Sequence, residues 1–118
     1  MSGRGTAALG IGDVFVVVVP AVLDDAAVIS LQEVLSFRVV DEAARGVVVD
    51  LSAVDVVDTF VGRRLSLIGS VVEMLGARFV LVGVCPDVAQ TMVRLGVDFD
   101  GTTVARGLGA GLELLDAR

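Results

Sequence analysis

Apolar residues recur along this chain with two spacings, and the switches between them divide it into elements. Ala7 to Ile11 and Asp13 to Val19 are short runs of aliphatic and β-branched residues with Gly12 between them, which predicts two strands joined by a turn. Asp24 and Asp25 offer an N-cap and a charge that suits a helix dipole, and an apolar pattern of helical period then runs from Ala26 to Ala44 before Gly46 stops it. Val47, Val48, Val49 and Leu51 form a short run of the kind buried on both faces of a parallel sheet. A second helical pattern spans Thr59 to Leu75, followed by a strand at Ala77 to Gly83 and a short helix from Pro86 to Leu95. A weak strand at Thr102 to Ala105 and a helix from about Gly109 to Ala117 complete the order ββαβαβαβα. Strands alternating with helices predict an α/β fold with a mixed, mostly parallel sheet and right-handed crossovers.

Helical spacing also predicts which faces are covered. In the first helix Val28, Leu31, Leu35, Val39 and Ala43 form the expected core stripe, while Phe37 points away from it with Val34, Val40 and Ala44 nearby. The second helix sets Val61, Leu65, Ile68, Val72 and Leu75 on one side and Phe60, Leu67, Val71 and Met74 on another. Two helices that are apolar on two faces predict an oligomer, homo- or hetero-, with Val34, Phe37 and Val40 in the assembly interface.

Length and composition narrow the class. A chain of 118 residues suits one domain over 1–118, with residues 1–5 as a tail. The chain is 55% hydrophobic, yet its longest apolar stretch, Val14 to Leu23, is interrupted by Pro20 and closed by Asp24 and Asp25. A span needs about 20 apolar residues, so no membrane segment is expected. Met1 to Thr6 lacks the regions of a secretion signal and Cys85 has no second cysteine to pair with, which fits a cytoplasmic protein. The net charge of −6 is the wrong sign for a nucleic-acid partner. The chain contains no histidine, lysine, tyrosine or tryptophan. That removes the Schiff-base lysine, the P-loop lysine, the usual proton shuttle and the commonest metal ligand, so no enzyme, cofactor or metal site is expected.

The segment Asp50-Leu51-Ser52-Ala53-Val54-Asp55-Val56-Val57-Asp58-Thr59-Phe60-Val61-Gly62 joins a buried strand to a helix, and binding sites of open α/β sheets gather at the carboxyl ends of strands. The Asp58-Thr59 step places a hydroxyl at a helix N-terminus that would favour a phosphate, with Arg63 one turn on. A plain helix cap beside solvated arginines accounts for the same residues. Gly107-Leu108-Gly109-Ala110-Gly111 has the look of a dinucleotide loop, but the chain ends before the ribose-binding acid, and a flexible helix start is the expectation.

At this loop the sequence resembles the STAS domains, named for sulphate transporters and anti-sigma-factor antagonists. Asp50-Leu51-Ser52 followed by Asp58-Thr59-Phe60-Val61-Gly62 is similar to that family's strand ending and its D-S-x-x-[GA] helix start. Phe60, Leu23-Asp24-Asp25, Gly83-Val84-Cys85-Pro86-Asp87-Val88-Ala89 and Leu95-Gly96-Val97 resemble the RsbS-type branch of the stressosome. The resemblance implies a STAS-like fold and a scaffold that sequesters an RsbT-like switch serine/threonine kinase in a stress-response pathway. It implies phosphorylation at Thr59, where the branch usually has serine, with release of the kinase. Asp55, Asp58, Thr59, Phe60 and Arg63 would form the partner-binding face. RsbR-like scaffold paralogues and a cognate phosphatase are the other implied partners. The alternatives are a free anti-sigma-factor antagonist that binds its kinase one to one, and a small nucleotide-binding domain resting on the glycine loop.

Overall fold

The computed structural model describes residues 7–96 and 102–116. The element order is β1 (Ala7–Ile11), β2 (Val14–Val18), α1 (Asp25–Glu42), β3 (Gly46–Asp50), α2 (Thr59–Met74), β4 (Arg78–Val82), α3 (Pro86–Arg94), β5 (Thr103–Ala105) and α4 (Leu108–Asp116). The five strands form one sheet in chain order, with β1 antiparallel to β2 and every later pair parallel. The predicted order and the mostly parallel sheet are both present. The tail at residues 1–5 and Val97 lie outside the described residues.

Strand residues alternate between two cores because successive side chains leave opposite faces of a strand. Phe15, Val17, Val47, Val49, Phe79 and Leu81 point to one face, where Val28, Leu31, Leu35 and Val39 of α1 and Val61, Leu65, Ile68 and Val72 of α2 meet them. Val88 and Met92 of α3 belong to the same cluster. The opposite core is smaller: Val14, Val16, Val48, Val80 and Val82 are covered there by Leu115 of α4. α4 packs against β3, β4 and β5 and leaves the β1 end of that face open.

Helix ends account for the departures from the expected stripes. Ala43 is the C-cap of α1 in a left-handed conformation at φ 54°, so it is exposed and not in the core. Leu75 is the C-cap of α2 and is likewise exposed. Ala44, expected on the outer face, packs against the larger core instead, since the chain has already left the helix. The glycines near the C-terminus also differ from expectation. α4 begins at Leu108, and Gly111 is buried inside it where an added Cβ would lie 2.8 Å from Val82 Cγ1, so this residue lets the helix approach the sheet.

Candidate functional site

The three helices α1, α2 and α3 all start at the carboxyl edge of the parallel strands, and the loop from 51 to 58 crosses that edge. Its path is fixed from below. Leu51, Val54 and Val57 are buried in the larger core, while Leu51 N–H donates to Val82 O at 2.9 Å and Val54 N–H to Leu51 O at 3.0 Å. Asp55 and Val56 between these anchors, and Asp58 just after them, are exposed. Val56 forms a parallel bridge with Val22, which ties the loop to the segment leading into α1.

A second lock sits beneath the first turn of the loop. Asp50 Oδ1 accepts from the backbone N–H of Ser52 at 2.9 Å and also from the Ser52 hydroxyl. Gly83, just past β4, stands against this pair at φ 73°. A Cβ built there would lie 2.3 Å from Ser52 Oγ and 2.9 Å from Asp50 Oδ1. Only glycine combines that backbone conformation with that proximity. The aspartate and serine of the strand ending therefore fix the loop's first turn to each other, while the Leu51 N–H ties it to β4.

Asp58 caps α2, with its Oδ1 accepting from Val61 N–H at 2.8 Å and its carbonyl from Gly62 N–H at 2.9 Å. Thr59 is thus the first residue of α2 and is half-buried, next to Phe60, which is exposed. The helix-cap reading of the Asp58-Thr59 step is the one these bonds show: Asp58 does the capping, and Thr59 follows it as the first residue at the positive end of the helix dipole. Arg63 is exposed one turn further on. Arg64 lies against the Phe60 ring, 5.5 Å from its centroid, and its Nη1 donates to Gln32 Oε1 of α1 at 3.3 Å.

The five expected partner-binding residues lie along one run from the loop into the first turns of α2, with Asp55, Asp58, Phe60 and Arg63 exposed and Thr59 half-buried. Hydropathy alone gave no reason to include Val22 and Val56, each 75% exposed, which add an apolar patch to it. Their bridge joins segments far apart in sequence, so no local pattern marks it. Cys85 is half-buried, packed against the larger core with its Sγ 4.0 Å from Val54 O. Among the described residues no group of three or more histidine, cysteine, aspartate or glutamate side chains is arranged to hold a metal ion. No helix among them is long and apolar enough to cross a membrane.

A domain model described as the STAS domain matches residues 6–106. The chain belongs to the STAS domain family. Among solved structures, this STAS domain is similar to a serine-to-glutamate variant of RsbS from Moorella thermoacetica, with 38% identity, 97% of each chain covered and a TM-score of 0.83. It is also similar to a chain in a structure described as the molecular architecture of the stressosome, a signal integration and transduction hub. That match has 39% identity, covers 94% of this chain and 96% of the other, and has a TM-score of 0.81. Among curated proteins it is 33% identical over 92 residues to the RsbT co-antagonist protein RsbRA of Bacillus subtilis (strain 168). The match covers 75% of this chain and 34% of RsbRA, so this STAS domain spans about a third of that relative. The RsbS-type resemblance expected from Phe60 and the surrounding motifs is matched by these relatives.

Proposed function

We propose that this chain is a non-catalytic, cytoplasmic scaffold subunit of the stressosome type, which holds a switch serine/threonine kinase and releases it when Thr59 is phosphorylated. The observation that carries the reading is the position of Thr59. Its hydroxyl opens α2 at the carboxyl edge of the sheet, on a loop anchored by three buried residues and flanked by exposed Val56 and Phe60. An anchored loop presents its acceptor in one geometry, which a kinase active site requires. The apolar residues give a partner something to bury, and the carboxylates of Asp55 and Asp58 make the surface sensitive to added negative charge.

Similarity to RsbS and to RsbRA, whose name makes it a co-antagonist of RsbT, supports an RsbT-like kinase and RsbR-like paralogues as partners, with a phosphatase to reverse the modification. The outer face of α1 is the surface we assign to assembly. Val34, Phe37 and Val40 are all exposed there, Phe37 by 55%. Phe37→Asp should reduce the mass of the assembly in light scattering while helical content by circular dichroism stays unchanged; an unchanged mass with scaffold partners present would remove α1 from the interface.

The acceptor is tested by intact-mass measurement after incubation with the cognate kinase and ATP. One added phosphate is expected, and none on Thr59→Ala. Phosphate found on Ser52 or Ser66 would show that the acceptor has been assigned to the wrong residue.

A further inference from the structure

The chain has no lysine, so every basic side chain in it is an arginine, and the fold commits most of the described ones away from the start of α2. Arg38 pairs with Glu42 at 2.7 Å and lies over the Phe15 ring, and Arg45 pairs with Asp13 at 3.0 Å. Arg45 and Arg78 stand at the amino ends of β3 and β4, and Arg94 ends α3, all at the side of the sheet opposite to the Thr59 loop. Arg106 leads into α4, which covers the other face. Among the described arginines only Arg63 and Arg64 lie in the first turns of α2.

These two neighbours are in different states. Arg64 is held by the Phe60 ring and by its bond to Gln32, which turn it toward α1. Arg63, about 100° round the helix from it, is exposed and has no hydrogen bond or ion pair among the described residues. Its neighbours one turn away explain this, since Thr59, Phe60, Ser66 and Leu67 include no acid. Arg38 has Glu42 at the same spacing and is paired. Helical side chains lean toward the N-terminus, so a long side chain four residues on reaches back over the preceding turn, which for Arg63 means Thr59. A phosphate there would bring about −1.5 to −2 charges and three acceptor oxygens, and the guanidinium fork binds two such oxygens at once. An anion four residues before a cation is also the favourable order along a helix. Asp58 already accepts from the Val61 and Gly62 amides, so Arg63 is the nearest uncommitted positive charge.

We propose that Arg63 receives the phosphate carried by Thr59, and that this pairing withdraws its guanidinium from the kinase. The inference rests on the reading of Thr59 as the acceptor. Modification then acts on the kinase-binding residues in two ways, by adding an anion and by occupying the cation that the unmodified chain holds out to solvent. Arg64 does not substitute, because releasing it would break its contacts with Phe60 and Gln32. The carboxylates near the phosphate are Asp55 and Asp58 of the loop and, through the Val22–Val56 bridge, Asp24 and Asp25 at the start of α1. They oppose the added charge in every variant alike, so a comparison between variants isolates the arginine.

The test uses the full chain made with phosphothreonine at position 59 during translation, so it needs no kinase to place the phosphate. Phosphorus NMR follows the phosphate through its second ionisation near about pH 6. Arg63→Gln should raise that pKa by about half a unit, the size of an exposed ion pair, because the cation that favours the dianion is gone. Arg64→Gln should raise it by clearly less, and Arg63→Lys should keep part of the effect. No shift with Arg63→Gln, or equal shifts with Arg63→Gln and Arg64→Gln, overturns the pairing. If the phosphorylated chain does not fold, the carboxylate introduced by Thr59→Glu is titrated by carbon NMR instead, with the same order of variants expected. Calorimetry against the kinase tests the withdrawal: Arg63→Gln should weaken binding of the unmodified chain by roughly 3- to 10-fold and leave that of the phosphorylated chain unchanged. Equal weakening of both, or of neither, overturns the withdrawal. A kinase that leaves Thr59 unmodified in the intact-mass measurement would instead refute the acceptor, a failure that the titration does not share.

Discussion

Replacing Gly83 by alanine should destabilise the protein by about 2–4 kcal/mol, because two costs coincide at that residue. The first is conformational: alanine at φ 73° pays the left-handed penalty that glycine does not. The second is steric: the new Cβ would enter the space of Ser52 Oγ, the Asp50 carboxylate and the Ser52 amide nitrogen, the last at 3.1 Å. Thermal unfolding followed by circular dichroism should show a Tm lower by roughly 10 °C. Gly76→Ala separates the two costs, since Gly76 also has a positive φ, 103°, but nothing lies within 4 Å of its Cβ position. It should therefore lose less stability than Gly83→Ala. Adding Ser52→Ala to Gly83→Ala should recover part of the difference, because the nearest obstructing atom is then gone. Equal losses at Gly76 and Gly83 would mean that the Asp50–Ser52 lock exerts no pressure on Gly83.

Thr59→Asp should have the opposite profile, with the fold intact and the complex weakened. At the first residue of α2 a negative charge meets the positive end of the helix dipole, so the Tm of the free protein should hold or rise slightly. In the proposed complex the same charge would add to those of exposed Asp55 and Asp58 in the same stretch of chain. Like charges brought together as an interface loses water are costly, and the kinase Kd should rise by roughly 10- to 100-fold. Salt screens such repulsion, so the gap between variant and wild type should narrow as ionic strength increases. Calorimetric titration of both proteins against the kinase measures this. Equal affinities would rule out charge repulsion as the means of release, and a large fall in Tm would show instead that the substitution damages the loop.

The sequence carried most of the fold because its elements are short, regular and well punctuated. Val47, Val48 and Val49 read as a doubly buried strand and are fully buried, and Pro86 and Gly96 bracket α3 as their backbone preferences require. Ala43, Ala44 and Leu75 were misplaced because periodicity extends a stripe past the point where the helix stops, and a C-cap changes the direction of the next side chains. The Thr59 loop was legible from its residues and from their likeness to known motifs. What escaped was everything that depends on two distant segments meeting: the Val22–Val56 bridge, and the fit of Gly83 against Asp50 and Ser52. No spacing rule along one strand or helix encodes those contacts.

The unequal cores on the two sides of the sheet imply a hierarchy of local opening. α4 is held to the sheet through a small set of apolar contacts around Leu115, together with Arg45, whose Nη1 donates to the Leu115 carbonyl at 3.0 Å and whose Nη2 lies 3.7 Å from Asp116 Oδ1 at the exposed surface. Helices α1 and α2 share a much larger cluster with each other and with the strands. Fluctuations that detach α4 therefore cost less free energy than any that reach the opposite face. Such an excursion would uncover Val48, Val80 and Val82 while the Thr59 loop keeps its anchors, because Leu51, Val54 and Val57 belong to the other cluster. The surface assigned to the kinase thus rides on the cooperative unit that unfolds last.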